Sequence, residues 1–257
     1  MEIIWKDLIT RLQRVLRVKT TPIGMKLFET EDEMKVVPKI RCPKDGERFL
    51  VCQMVGQAAR LNFTVGFTRE NILAPQCRSV LGFDPRGDEF LSGRQFHGVW
   101  YERLHESAAH QAAMYTVEYG RYTACAISPL ESGRLDTPDI CMLYMTPGQM
   151  IHFINGLQWR DYRVIHSSIV GESTCSDTWG KAIATGEPSV SIPCFAERRY
   201  GCTLDEEMLI CLKPVDFLRA IEGMEALSRN GLRYPAPFYG VQRDATEGMS
   251  VTYEGLK

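Results

Sequence analysis

The stretch Ile140-Cys-Met-Leu-Tyr-Met145, followed directly by Thr146-Pro147, decides the fold class of this chain. Six consecutive apolar residues predict a strand that is buried on both faces, because a strand with one wet face would alternate apolar and polar side chains. Thr146 is a favoured N-cap residue and Pro147 a favoured first helical residue, so a helix is predicted to follow as far as Leu157. A buried strand that runs straight into a capped helix is the unit of a sheet covered by helices.

The rest of the chain continues this pattern of strands and helices. Apolar residues at helical spacing predict an amphipathic helix over residues 3–17, and an apolar run predicts a strand over 23–28. Further strands are predicted at 63–67, 122–127, 164–170, 189–192 and 208–212, and further helices at 49–61, 102–116, 176–184 and 215–229. The sequence therefore predicts an α+β protein with α/β-like units, in which helices pack on a mixed sheet within a single compact domain.

We divide the chain into a cysteine-bearing core over residues 1–230 and a C-terminal extension over residues 231–257. The last predicted helix is followed by Asn230-Gly231, a typical helix stop. Beyond it, Tyr234-Pro-Ala-Pro-Phe-Tyr-Gly combines two prolines with three aromatic residues. We expect this extension to pack on the core or on a partner subunit, which would make the protein a homodimer.

Composition and charge exclude several classes of protein. The formal net charge is -2 and the sequence pI is about 6.2, and no basic stripe interleaved with aromatic residues occurs, which argues against a nucleic-acid partner. No apolar run reaches the roughly 20 residues that a membrane span needs. The chain does not open with a basic and then apolar export segment. We therefore expect a cytoplasmic protein without a nucleic-acid or membrane partner.

Nine cysteines are the most informative feature of the composition. Their odd number and the expected reducing compartment argue against a disulfide framework, which leaves metal ligands, reactive thiols and small core residues. Cys125, Cys141 and Cys211 lie in apolar strand-like runs and are predicted to be core residues. Cys42 and Cys202 are reserve candidates for a metal site.

The other four cysteines, Cys52, Cys77, Cys175 and Cys194, stand in contexts that present sulfur rather than bury it. Cys77 follows a proline on a predicted loop. Cys175 lies just before a predicted helix, whose N-terminus favours the thiolate, and Cys194 lies at a strand end with two arginines nearby. No Cys-x-x-Cys pair is present, so the ligands of any centre must converge from separate loops. From context alone, partly buried loop cysteines are as well supported as a site.

Several of these contexts together resemble a known family. They are the element Pro193-Cys194-x-x-x-Arg198-Arg199 with the acidic Asp205-Glu-Glu-Met, the element Glu172-Ser-Thr-Cys175, and Cys52-Gln and Cys77-x-x-x-Leu-Gly82. They resemble the uncharacterised prokaryotic family called domain of unknown function 169, over about residues 1–228. The chain departs from that family at Arg78-Ser79, where members often have a glycine pair. The insertion at 84–101 and the extension from 231 also lie outside the family pattern.

The resemblance implies an α+β cytoplasmic protein, frequent in anaerobes, with cysteines that match Cys52, Cys77, Cys175 and Cys194. Together with the cysteine contexts it leads to the hypothesis of an iron-sulfur enzyme in which these four residues bind a [4Fe-4S] cluster, as both metal and cofactor site. The enzyme would be an oxidoreductase, or a lyase if one iron lacks a cysteine and acts as a Lewis acid. It would act on a small, anionic substrate, with an electron-transfer partner in the redox case.

Three residues are candidates for catalysis beside that cluster. His166 follows a predicted strand and precedes Cys175, which suits an acid/base group, although a satisfied core histidine is the commoner case. Arg198 and Arg199 would neutralise the charge of the cluster or clamp an anionic substrate. The acidic run at Asp205 is interpreted as an ion-pair partner of these arginines.

Two other function classes stay open. The first is a non-catalytic binding or carrier module that uses the same cysteines for zinc or another soft metal. The second is a cysteine-nucleophile enzyme, with Cys194 or Cys175 as nucleophile and His166 as base, which requires the cysteines to lie apart rather than clustered.

Overall fold

The structure is a computed structural model and describes residues 3–236. Its strands are β1 (Ile23–Phe28), β2 (Ile40–Arg41), β3 (Thr64–Thr68), β4 (Ala124–Pro129), β5 (Ile140–Met145), β6 (Ser189–Ser191) and β7 (Met208–Leu212). Within the described residues these seven strands form one sheet, in the order β2-β3-β4-β1-β5-β7-β6. β2 and β3 pair in parallel and the other neighbours pair antiparallel, so the sheet is mixed.

Ten α-helices occur in the same residues, and they pack around the sheet. They are α1 (Trp5–Leu16), α2 (Glu31–Lys35), α3 (Val51–Leu61), α4 (Pro75–Val80), α5 (Asp88–Leu91), α6 (Leu104–Ala113), α7 (Pro147–Leu157), α8 (Lys181–Thr185), α9 (Phe195–Tyr200) and α10 (Pro214–Arg229). A π-helical turn, Ser176–Gly180, runs directly into α8. The α+β class and the single compact domain predicted from the sequence are confirmed.

The central strand β5 is buried along its whole length, as its composition predicts. Ile140, Met142 and Tyr144 enter one hydrophobic core, and the alternate residues Cys141, Leu143 and Met145 enter a second core on the opposite face. At its end, Thr146 and Gln149 form the expected capping box: the Gln149 N–H donates to the Thr146 hydroxyl and the Thr146 N–H donates to the Gln149 side chain. The predicted strand-to-helix unit is therefore present.

Different helices cover the two faces of the sheet. One core contains Trp5 of α1, Phe153 of α7 and Phe217 of α10, so these three helices form the layer on that face. The other core contains Met54 and Val55 of α3, and the α4 segment and the π-helical turn pack there as well. The face covered by α3 also carries the cysteines of interest.

Two local predictions are wrong. Residues 164–170 do not form a strand. Instead, serine side chains hydrogen-bond this segment to the edge strand β6. The Ser167 hydroxyl donates to the Val190 carbonyl, and the Ser191 hydroxyl donates to the Ser168 carbonyl at 3.1 Å. Cys77 is not on a loop, because Pro75 is the first residue of α4 rather than a helix breaker.

The predicted C-terminal extension is described only as far as residue 236. In this part the Tyr234 ring lies 6.2 Å from the His152 ring of α7, centroid to centroid. The remainder of the extension lies outside the described residues. No helix within residues 3–236 has the length and apolar character that crossing a membrane requires.

A pair of glycines, Gly156 and Gly223, allows α7 and α10 to pack closely. A Cβ atom placed on Gly223 would lie 1.9 Å from the carbonyl oxygen of Gly156, and one on Gly156 would lie 2.4 Å from the carbonyl oxygen of Ala220. These contacts would be with backbone atoms, which cannot change rotamer to relieve a clash as a flexible side chain can. The layer formed by α7 and α10 therefore requires glycine at both positions.

We expect Gly223→Ala to destabilise the protein by about 1–3 kcal/mol, the usual cost of overpacking, and to lower Tm by roughly 2–4 °C per kcal/mol. Thermal unfolding followed by circular dichroism measures this. Gly148→Ala, in α7, is the matched control because its new methyl group would meet its nearest neighbour at 3.7 Å. Equal Tm values for the two variants would contradict the proposed close packing.

Candidate metal centre

The four cysteines predicted to converge, Cys52, Cys77, Cys175 and Cys194, line one small cavity on the face of the sheet that α3 covers. Its volume is about 30 Å³. The cavity is also lined by Leu50, Val51, Ala74, Gln76, Glu172, Ser173, Trp179, Ala196 and Glu197. The chain therefore brings together four thiols and two carboxyl groups from segments that are far apart in sequence.

Each of the four cysteines stands at the beginning of a helical segment. Cys52 is the second residue of α3, Cys77 the third residue of α4, Cys175 immediately precedes the π-helical turn, and Cys194 is the N-cap residue of α9. Backbone N–H groups in the first turn of a helix have no partner within the helix. Such groups can donate hydrogen bonds to sulfur, and they favour negative charge there.

Close backbone packing brings α9 onto α3. A Cβ atom on Gly56 of α3 would lie 2.6 Å from the carbonyl oxygen of Gly201, and one on Gly201 would lie 2.9 Å from the carbonyl oxygen of Cys52. The thiol of Cys52 in turn donates to the carbonyl oxygen of Ala196 at 3.6 Å. These contacts place Cys52 beside the segment that carries Cys194.

A single threonine links the segments of Cys175 and Cys194. The hydroxyl of Thr174 accepts the N–H of Cys194 at 2.7 Å and donates to the carbonyl oxygen of Ile192 at 3.2 Å. Thr174 itself is buried. The polar residue next to Cys175 thus fixes the backbone on which Cys194 stands.

The backbone before Cys175 is strained at a non-glycine residue. Ser173 has a φ of +81°, in the left-handed region that glycine favours, and the nearby Gly171 has a φ of +83°. Glu172, between these two residues, lines the cavity. A non-glycine residue in this region typically costs on the order of 1–3 kcal/mol and is concentrated at functional sites.

Three of the four thiols have raised pKa values. Burial raises the pKa of Cys52 far above its usual range and raises that of Cys194 to about 11. For Cys175 the largest cause of the raised pKa is its hydrogen bond with Cys77, followed by burial. Nearby backbone N–H groups lower these pKa values, but by less. In the metal-free protein burial therefore outweighs the effect of the helix N-terminus at Cys175 and Cys194, opposite to the lowered pKa that their sequence contexts favour.

Two buried glutamates share the cavity, and sequence reasoning missed both. Glu172 and Glu197 are only 7% and 3% exposed, and the Oε2 atom of each has no hydrogen-bond partner among the described residues. Burial raises the pKa of Glu172, and raises that of Glu197 to about 7, although the nearby Tyr144 hydroxyl and the charges of Arg198 and Arg60 lower it. Their sequence positions held a signal, since Glu172 precedes Cys175 by three residues and Glu197 follows Cys194 by three.

The predicted catalytic histidine does not line the cavity. His166 is exposed in the segment beside β6, and its backbone carbonyl accepts a hydrogen bond from the Lys181 ammonium at 3.0 Å. Its predicted acid/base role would therefore require the segment that carries it to move toward the cysteines.

The predicted arginines also lie outside the cavity. The Arg198 guanidinium donates to the backbone carbonyls of Pro193 at 3.0 Å and Leu204 at 2.9 Å, and forms an ion pair with Asp205 at 3.0 Å. This ion pair confirms the interpretation of the acidic run. Arg199 is exposed and lies over the rings of Phe195 and Tyr200. Of the residues that line the cavity, all of them described, none is a lysine, an arginine or a histidine.

The remaining five cysteines lie away from the cavity. Cys125, Cys141 and Cys211 are fully buried in β4, β5 and β7, as predicted for core residues. Cys42 and Cys202 are exposed and do not line the cavity. All nine cysteines are free thiols, which fits the expectation of a chain without disulfides.

The donor set fits a soft metal in its chemistry, since thiolates are the ligands that zinc and iron-sulfur clusters prefer. Within residues 3–236, however, no three His, Cys, Asp or Glu side chains converge closely enough to hold one ion as they stand. Ligands of a single tetrahedral zinc would lie roughly 3.8 Å apart, given Zn–S bonds of about 2.3 Å. Any metal therefore requires the side chains to turn, and a polynuclear cluster also requires the cavity to widen.

Comparison with known proteins places this chain in a family. Residues 11–223 match the model of domain of unknown function 169, described as an uncharacterised ArCR family. The chain belongs to this family. The resemblance predicted from the cysteine motifs is thus confirmed over most of the chain. No curated protein and no solved structure matches the chain.

The raised pKa of Glu197 predicts a stability that depends on pH. Its pKa is 4.5 in the unfolded chain and about 7 in the folded protein, so the folded state retains a proton that the unfolded state loses. The contribution of Glu197 to the free energy of unfolding of the apoprotein should therefore fall as pH rises from about 4.5 through about 7, by on the order of 1–3 kcal/mol.

Denaturant unfolding of the apoprotein at a series of pH values tests this. Glu197→Gln should show a smaller decrease over the same range, while the exposed control Glu131→Gln should behave as the wild type. Asp177, whose pKa burial raises to about 6, leaves a residual slope in both variants. A slope unchanged by Glu197→Gln would contradict this assignment.

Proposed function

We propose that this protein is an iron-sulfur protein in which Cys52, Cys77, Cys175 and Cys194 hold a [4Fe-4S] cluster. The observation that carries the proposal is that these four thiols, from four separate helical segments, line a single buried cavity. Ligands supplied by scattered segments are typical of a cluster that the tertiary fold assembles inside an enzyme.

The same observation speaks against a cysteine nucleophile. A nucleophilic cysteine needs a lowered pKa or an adjacent base, whereas burial raises the pKa of Cys52 and Cys194 and no histidine lines the described cavity. The four thiols line the same cavity, whereas a cysteine-nucleophile enzyme requires its reactive thiol to lie apart from the other thiols. We therefore set this alternative aside.

The chemistry that follows depends on how many irons bind cysteine. A cluster held by all four cysteines would transfer electrons, and one with an iron free of cysteine would act as a Lewis acid. We accordingly propose an enzyme of anaerobic metabolism in the cytoplasm, either an oxidoreductase with an electron-transfer partner or a lyase, acting on a small molecule. Assembly as a homodimer and roles for His166, Arg198 and Arg199 remain predictions.

A second candidate is a binding or carrier module for zinc or another soft metal. The specific observation in its favour is the size of the cavity, because about 30 Å³ can admit one ion far more readily than a cluster. The same cysteines would be the ligands, so metal analysis separates the two candidates.

We expect protein purified without oxygen to be brown, with about four iron and four sulfide per chain, as a cluster of this type requires. Cys194→Ala should lose most of the iron, because a ligand is removed. Cys141→Ala is the matched control: Cys141 is also buried, but it packs in the core on the opposite face of the sheet. It should retain the iron. Visible absorption with iron, sulfide and zinc analysis measures these outcomes.

Each alternative result has a definite meaning. A colourless protein with one zinc per chain, lost in Cys194→Ala, would favour the carrier module. Protein without iron or zinc after purification and after anaerobic reconstitution would overturn both candidates.

A further inference from the structure

The two glutamates in the cavity call for an explanation that the thiols do not provide. A buried carboxyl oxygen without a hydrogen-bond partner destabilises the folded protein, and Glu172 and Glu197 each bury one such oxygen beside the cysteines. The nearest candidates for a counter-charge are already engaged. Arg60 binds Glu207 through two hydrogen bonds, and Arg198 binds Asp205 and two backbone carbonyls.

We propose that Glu197, together with Glu172 on the adjacent wall, supplies carboxylate oxygen ligands to the metal centre. The centre would then have mixed sulfur and oxygen ligation rather than four thiolates alone. This inference rests on the proposed function, because it deepens the description of the same site. It assigns a use to the two Oε2 atoms that no group in the described protein binds.

The surroundings of Glu197 support a ligand role. Glu197 lines the same cavity as the four cysteines, and it lies in the first turn of α9, whose N-cap residue is Cys194. Its Oε2 atom is buried and has no hydrogen-bond partner among the described residues, so this oxygen is available to a metal.

The surroundings of Glu172 show a built position as well. Glu172 lies between two residues with positive φ, Gly171 and Ser173, and the second of these has a side chain that opposes this conformation. The strained turn places Glu172 on the cavity wall rather than in solvent. Strain of this kind persists only where the surrounding structure enforces it.

Mixed ligation has a consequence for reactivity. An oxygen ligand is harder than thiolate and exchanges with other oxygen donors, so a metal held in part by carboxylate can bind a substrate hydroxyl or carbonyl in its place. In that exchange one metal–oxygen bond forms as another breaks, and no electron is transferred.

The test uses full-length protein reconstituted without oxygen with ferrous iron and sulfide, and separately with zinc. Iron X-ray absorption on the wild type should show oxygen as well as sulfur neighbours. The variants are Glu197→Gln, Glu172→Gln and the double variant, with exposed Glu131→Gln as control. Metal removal by a chelator should be about 10–100-fold faster in Glu197→Gln, and unchanged in the control.

The melting temperature of each apoprotein separates a ligand role from a structural one. Because Glu197→Gln also changes the stability of the apoprotein with pH, the rise in Tm on metal binding is measured for each variant against its own apoprotein at the same pH, and a ligand role predicts that this rise shrinks. Sulfur-only iron neighbours in the wild type, or unchanged chelator kinetics in all three variants, would overturn the carboxylate ligands and leave the thiol centre intact. A wild-type protein that takes up neither metal would overturn both proposals.

Discussion

Burial of the central strands on both faces is the constraint on which the rest of this structure depends. β5 exposes none of its side chains, and β7 beside it is buried over Leu209–Leu212, so each face of the sheet must be covered by a separate layer. One face is covered by α1, α7 and α10, packed as closely as a glycine pair allows. Short helical segments cover the other face. The four cysteines lie at the N-terminal ends of these segments and line one cavity inside the protein.

Features with a strong local signal were predictable from the sequence. β5 and the capping box after it follow from six apolar residues and a Thr-Pro pair, and the assignment of Cys125, Cys141 and Cys211 to the core follows from the runs around them. The strand predicted at 164–170 was wrong because its serines use their hydroxyls to bind the backbone along β6, which satisfies that edge without a backbone ladder. Residue pattern alone does not distinguish these two ways of covering an edge.

The candidate site was predictable in part. The convergence of four cysteines could be inferred from their contexts and from the family resemblance, but the raised pKa values of Cys52, Cys175 and Cys194 could not, because burial depends on the tertiary fold. The position of Arg198 was missed for a related reason. Two arginines near Cys194 suggested a positive site, yet Arg198 is directed to the carbonyl of Pro193 and to Asp205. Proximity in sequence says little about the direction of a long side chain.

The segments that carry the four cysteines belong to distant parts of the chain, from α3 near one end to α9 near the other. Any ion bound among them would join these segments as a cross-link does, by closing a long loop that the unfolded chain would otherwise leave open. Because the ligands meet only in the folded protein, the free energy of binding the ion would add to the free energy of folding. Under our proposal, the cofactor would therefore contribute to holding the segments from α3 to α9 together. Its loss would first cause local opening around the short helical segments that carry the thiols.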